Sequence, residues 1–211
     1  MDIILHNNNF RLLPEKAMYK PDEGLLVIAD VHLGKASHFR NSGIPLSANS
    51  QMGDYANLEM LFLKIAPQKV YFLGDLFHSN INRDWHYFTG LIGKFPQIKF
   101  TLIKGNHDLI NPNLFLEIGI PVIDQIETDT IIYSHEPLTD AEPNKINIAG
   151  HIHPGFVLSG AGRQHIKLAC FYRSNNLFLL PAFGMLTGLV SMPRTSATTI
   201  YVILPAEVRE I

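Results

Sequence analysis

The chain has 211 residues, 46% of them hydrophobic and 17% charged, with a formal net charge of −2 at pH 7. This balance suits one domain spanning 1–211 around a sizeable core, and it excludes a disordered or membrane-embedded chain. It also excludes a bulk polycation, so contact with nucleic acid would have to rest on local basic groups or on metal ions.

The single cysteine, Cys170, permits no intramolecular disulfide and reads as a buried small residue of a protein in the reducing cytoplasm. The opening Met1–Asn7 has neither the basic stretch nor the long apolar stretch of a signal peptide. No apolar run approaches the ~18–20 residues of a membrane span, and no membrane association is expected.

In chain order, residues 2–20 suggest a hairpin added to a sheet. Leu25–Ala29 is an apolar strand running into Asp30. Between 55 and 65, Tyr55, Leu58, Leu61, Phe62 and Ile65 recur at helical spacing and stop at Pro67. Val70–Leu73 is a strand running into Gly74-Asp75, and 84–92 is a helix with Asp84 as candidate N-cap. Phe100–Ile103 is a strand leading to Gly105-Asn106, and Asn113–Ile118 is a short helix ended by Gly119. Thr130–Tyr133 runs into Ser134-His135, and Ile146–Ala149 runs into Gly150-His151. The last sixty or so residues read as strands without helices, at 166–172, 177–180 and 198–204, with a turn at Ser174-Asn175-Asn176. Strands alternating with helices and then strands alone predict an α/β sandwich of two mixed sheets flanked by helices, with the site at strand C-terminal ends.

Five motifs follow these strands: Asp30-Val31-His32, Gly74-Asp75-Leu76-Phe77-His78, Gly105-Asn106-His107-Asp108, Ser134-His135 and Gly150-His151-Ile152-His153. Each alone is weak. Asp-x-His arises by chance, Gly-Asn is good turn chemistry, and Gly-His-x-His could be a surface loop. Together they gather hard oxygen and imidazole ligands at several strand ends. That mixture suits borderline divalent ions, with Mn²⁺ first and Fe²⁺, Zn²⁺ or Ni²⁺ as alternatives. A Mg²⁺ or Ca²⁺ site would use more carboxylates, and a structural zinc site would use cysteines. The i, i+2 spacing of Asp30/His32 and of His151/His153 would place each pair on one side of an extended segment. Two adjacent ions bridged by Asp75 would make a centre suited to attack on phosphate esters.

These motifs, in this order, resemble the signature of the calcineurin-like metallophosphoesterases. Within that superfamily, Ala29–Lys35, Phe39-Arg40 with Gly43 and Pro45, Gly74–His78, and Leu180-Pro181-Ala182-Phe183-Gly184 with Thr187-Gly188 resemble the bacterial ligase-associated DNA damage response endonucleases. The resemblance implies one ion held by Asp30, His32, Asp75 and His153, and a second held by Asp75, Asn106, His135 and His151. It implies that His107 meets the substrate phosphate or leaving oxygen. His78 stands where an aspartate is frequent, and either orients His107 or a ligand or is simply packed. Asp108 caps the turn or supports His107. Lys35, His38 and Arg40 are candidate phosphodiester contacts, with Arg83, Arg163 and Arg173 weaker ones.

The expected activity is phosphodiester hydrolysis by a metal-activated hydroxide, as a nuclease on DNA or RNA in DNA repair with a DNA ligase or helicase as partner. A phosphomonoesterase or small-nucleotide hydrolase is the second reading. A non-catalytic metallo-scaffold, docking a repair partner through Met185, Leu186 and Leu189, is the third.

Overall fold

The computed structural model describes residues 1–36, 39, 43, 48–78, 83–139, 142, 144–160, 162 and 164–211. The first sheet runs in spatial order β1 (Asp2–Leu5), β2 (Asn8–Leu13), β3 (Ala17–Lys20), β4 (Leu25–Ala29), β5 (Lys69–Leu73), β6 (Lys99–Ile103) and β7 (Val122–Ile123). The first four strands pair antiparallel, and β4 to β7 pair parallel. The N-terminal segment therefore contributes a three-stranded meander, one strand more than the expected hairpin.

Strand β4 shows why the sandwich forms. All five of its residues are buried, because both of its faces are covered. Leu26 and Ile28 point to one cluster with Phe62, Phe72 and Phe88, while Leu25, Val27 and Ala29 point to another with Tyr133, Ile148 and Phe178. The period-2 alternation of a strand thus divides a continuous apolar run between two cores. Helices α1 (Ala48–Ile65), α2 (Arg83–Gly93) and α3 (Pro112–Glu117) cover the first face. Helix α1 begins earlier than the apolar spacing predicts. Helix α3 matches expectation: Pro112 sits at its start, the Asn111 side chain accepts from Asn113 N, and Gly119 follows at φ 80°. Asp84 is not an N-cap. It lies inside α2, buried, and accepts a hydrogen bond from the Tyr55 hydroxyl at 3.1 Å.

The second sheet covers the other face. Its main path is β14 (Val190–Ser191), β11 (Pro154–Ser159), β12 (His165–Ser174), β13 (Leu177–Leu179), β10 (Ile146–Ala149), β9 (Ile131–Ser134) and β8 (Gln125–Glu127). Strand β15 (Thr198–Ile203) pairs with β12, and β16 (Val208–Glu210) pairs with β15. The late strands are antiparallel to one another where expected, with Asn175 at φ 50° turning β12 into β13. Strand β13, however, lies parallel to β10, so this sheet is also mixed. Among the described residues no helix is long and apolar enough to cross a membrane. Cys170 is fully buried, and burial pushes its thiol up to about 12.

The helix-side core centres on aromatic contacts. Phe72 is fully buried and stacks on Phe100 at 6.2 Å between centroids, with Phe88 equally distant. Phe72→Ala is expected to destabilise the protein by about 3–5 kcal/mol through lost burial and the cavity left behind. Urea unfolding would show this as a lower midpoint at unchanged slope.

Candidate metal centre

The strand ladder does not stop where β4 and β5 end. His32 N donates to Asp75 O at 2.9 Å, Leu33 N to Leu76 O at 2.8 Å, and His78 N to Leu33 O at 2.9 Å. The first two motifs are thereby held in register beyond their strands. The third motif is joined to them by Asp108, whose carboxylate accepts from Gly105 N at 2.8 Å, Leu76 N at 2.9 Å and Phe77 N at 3.3 Å. Burial pushes the Asp108 carboxyl up and these three N–H groups pull it back down. Asp108 thus ties one loop to the next. On the far side, Phe183 N donates to Ala29 O and Gly184 N to Asp30 O, at 2.9 and 3.1 Å. The Leu180–Gly184 segment thus stitches the second sheet to the first motif.

The backbone at the predicted ligands is left-handed. Asp30, His32, Asp75, His151 and His153 have φ of 52°, 51°, 49°, 67° and 54°. This corrects the expectation of extended i, i+2 pairs: Asp30 and His32 do meet, through left-handed backbone just past the strand end, while His151 turns to His135 and His153 to Asp30. Such backbone in non-glycine residues costs of order 1–3 kcal/mol each and gathers where surrounding structure enforces it.

The side chains meet in two groups. Asp30, His32 and His153 form one, and Asp30, Asp75 and His135 form the other, with the ligating atoms of each group within 4.8 Å of one another. His32 Nε2 lies 3.4 Å from His153 Nε2, and His153 Nε2 lies 3.4 Å from Asp30 Oδ1. Two carboxylates could span the groups. Asp75 places Oδ2 3.8 Å from His32 Nε2 and Oδ1 3.5 Å from His135 Nε2. Asp30 reaches His135 only at Nδ1, 3.9 Å away, and that nitrogen donates to the Leu73 carbonyl at 3.0 Å. Asp30 is common to both groups, and Asp75 turns one oxygen toward His32 and the other toward His135 Nε2. With Nδ1 turned to the Leu73 carbonyl, His135 points its Nε2 inward, 2.9 Å from Asn106 Oδ1 and 3.1 Å from His151 Nδ1.

A divalent ion fits this environment. Asp30 and Asp75 are 0% and 2% exposed, and buried carboxylates need a compensating cation. Among the described residues, Asp30 Oδ1 and His32 Nδ1 are buried without a hydrogen-bond partner. His135 Nε2 and Asn106 Oδ1 meet at 2.9 Å, which brings two atoms able to hold a cation side by side. Burial, then the neighbouring Lys35, pushes the His32 imidazole down to about 2, so it is a neutral ligand at any ordinary pH.

Asn106 and His107 are exposed at the mouth. The His107 ring lies 5.9 Å from that of His32 and 5.8 Å from that of His78, and its backbone N–H donates to Asp75 Oδ1 at 2.9 Å. His78 packs its ring 5.7 Å from His32. Lys35 is partly buried, with its ammonium pushed down by burial and pulled back up by Asp75 and Asp30. Arg40, His38, Pro45 and Arg163, together with the side chain of Arg83, lie outside the described residues, while Arg173 bonds to Tyr201. A cleft of about 340 Å³ ends on Asn106 and His135, walled by Lys104, Gln125 and Glu136. Another cavity, of about 350 Å³, runs beside Met60, Phe183 and Met185 and contains none of the candidate ligands. Phe77 and Phe183 both belong to the helix-side core.

Glycine contacts are part of the site that motif reading identified without explaining. A Cβ on Gly105 would meet Asp75 N at 2.3 Å and Oδ1 at 2.4 Å, and one on Gly150 would meet Asp30 Oδ2 at 2.6 Å. The motif glycines therefore leave space for the two carboxylates. A buried polar residue missed altogether is Asn147, whose only signal is its place in the apolar run 146–149.

Gly105→Ala is expected to cost about 1–3 kcal/mol by overpacking against Asp75, measured as a lower urea midpoint, and to retain less divalent ion after gel filtration than the natural chain. A second expectation concerns acid. His32 is held neutral in the fold, so below about pH 6.5 the unfolded chain binds the additional proton. The metal-free protein then loses up to about 1.4 kcal/mol of stability per pH unit from this group as pH falls. Urea titrations from pH 6.5 to 5 should show a steeper loss for the natural chain than for His32→Asn.

The model of the family described as calcineurin-like phosphoesterase matches residues 25–175. The crystal structure of Pseudomonas putida nuclease MPE superposes with a TM-score of 0.83 at 28% identity, over 99% of each chain. A search of curated proteins finds no match. With the family match spanning all five motifs and the fold shared end to end, the chain belongs to the calcineurin-like phosphoesterases and is a metal-dependent hydrolase of phosphoester bonds.

Proposed function

We propose that the protein is a single-domain, dinuclear phosphodiesterase that cleaves nucleic acid, with Mn²⁺ as the preferred ion. The observation that carries this reading is Asp75, with one oxygen directed at His32 and the other at His135, 3.8 and 3.5 Å away. One ion would be held by Asp30, His32, Asp75 and His153, and the other by Asp75, Asn106, His135 and His151. When bound, such a pair supplies Lewis acidity toward phosphate oxygens and acidifies a coordinated water.

The chain's own residues do the rest. Asp75 fixes the spacing of the two sets, and His107 presents an imidazole at the open mouth, where it can protonate or hydrogen-bond the leaving oxygen. His78, packed on both His32 and His107, restricts their ring orientations. Lys35 adds positive charge beside the carboxylates and is a contact for the substrate phosphate, with Arg40 a further candidate. The exposure of Asn106 and His107 suits a diester whose chain continues on both sides, better than a small terminal phosphate. The similarity to a nuclease supports nucleic acid as substrate, and a DNA-repair setting with a ligase or helicase partner in the cytoplasm is part of the same reading.

The test is hydrolysis of bis-p-nitrophenyl phosphate by chelator-stripped protein refilled with Mn²⁺, beside p-nitrophenyl phosphate and a DNA oligonucleotide. The diester and the oligonucleotide are expected to be cleaved and the monoester to be poor; preference for the monoester would move the assignment to a phosphatase. Asp75→Asn should lose bound metal and turnover together. His107→Ala should keep its metal by elemental analysis while its rate falls about 10²–10⁴-fold, the usual worth of a general acid.

A further inference from the structure

Strand β10 carries one anomaly. Ile146, Ile148 and Ala149 are apolar and fully buried, and between them stands Asn147, also 0% exposed. Ile146 and Ile148 face the other sheet, so Asn147 faces the opposite side with Ala149, where Leu179, Val202 and other apolar residues pack. A buried amide in such a place is costly unless its polar atoms are satisfied. Those of Asn147 are. Nδ2 donates to Ser134 Oγ at 2.8 Å and to Ile132 O at 3.1 Å, and Oδ1 accepts from Leu138 N at 2.9 Å. Ser134 in turn donates from Oγ to Glu136 O at 2.7 Å.

Every one of these bonds falls on the segment that carries His135. They grip the strand before it and the turn after it, at 132, 134, 136 and 138. His135 itself is held from two further sides, by its Nδ1–H on Leu73 O at 3.0 Å and by Gly150 N on its carbonyl at 3.0 Å. Strand β10 runs directly into Gly150-His151, and His151 Nδ1 meets His135 Nε2 at 3.1 Å. One short strand therefore carries His151 at its end and, through an amide, sets the loop of His135.

We infer that Asn147, relayed by the Ser134 hydroxyl, is a positioning residue that aims the His135 imidazole at the second of the two metal positions. The inference rests on the dinuclear reading for its function, while the aiming itself belongs to the protein without metal. Partners that orient a ligand from behind are typically worth 10–100-fold in metal affinity.

The experiment uses the full chain with Asn147→Ala and, because that variant leaves a buried hole, Ser134→Ala as a milder second variant. Proton–nitrogen NMR of the histidine rings in metal-free protein reads whether the Nδ1–H of His135 remains slowly exchanging and at its native shift. Mn²⁺ titration by calorimetry then reads the two binding events. The expected result is a displaced, rapidly exchanging His135 signal in both variants, with one of the two binding events losing about 10–100-fold in affinity and the other unchanged. A native His135 signal with two native binding events, accompanied only by a lower melting temperature, would overturn the inference and leave Asn147 a packing residue. If the natural chain binds fewer than two ions, the dinuclear reading fails and the assigned function of Asn147 fails with it. That result is separate from the NMR result, which stands or falls on the variants alone.

Discussion

Two carboxylates buried within reach of each other, Asp30 and Asp75, are the constraint around which the molecule is arranged. Unpaired, each would carry a desolvation penalty of several kcal/mol. The surrounding structure offsets it with aimed groups, His151 N on Asp30 and His107 N on Asp75, with nearby imidazoles, and with the partly buried ammonium of Lys35. The left-handed backbone at five predicted ligands follows from this crowding. Side chains arriving from several strand ends can converge on so small a volume only if the chain turns abruptly where each strand stops.

The same constraint explains the glycines. Gly105 and Gly150 stand where any Cβ would meet a carboxylate, and Gly74, at φ 72°, would place one 2.2 Å from His135 Nδ1. They keep the interior of the centre free for acidic and imidazole groups and for the backbone bonds that hold them. Asp108 and the Phe183–Gly184 segment work from outside that volume. One binds the second loop to the third, and the other binds the second sheet to the first. The catalytic reading depends on these ties, since a ligand displaced by an ångström ceases to be one.

Much of this was legible in the chain. A strand buried on both faces must be apolar throughout, so Leu25–Ala29, Val70–Leu73 and Ile146–Ala149 announce themselves, and the motif residues follow at their ends. Strand β11 was not legible: it opens on Pro154-Gly155, two residues that disfavour a strand interior. Strands β7, β8, β14 and β16 are two or three residues long and exist because a neighbour pairs with them. The sign of φ at Asp30 or His151 was equally hidden, because aspartate and histidine adopt left-handed backbone only when tertiary packing imposes it. Asp84 misled for a related reason. An aspartate before an apolar-periodic run reads as a cap, whereas here the buried Tyr55 hydroxyl claims it from another helix.

The candidate ligands come from both layers of the sandwich. Asp30, His32, Asp75 and Asn106 follow strands of the first sheet, while His135, His151 and His153 follow strands of the second. An ion coordinated from both layers acts as a clasp between them, and its binding free energy enters the folding equilibrium directly. Loading and folding would then be one equilibrium: the free concentration of divalent ion in the surroundings would set how much of the chain stands folded, so metal scarcity would cost structure as well as turnover.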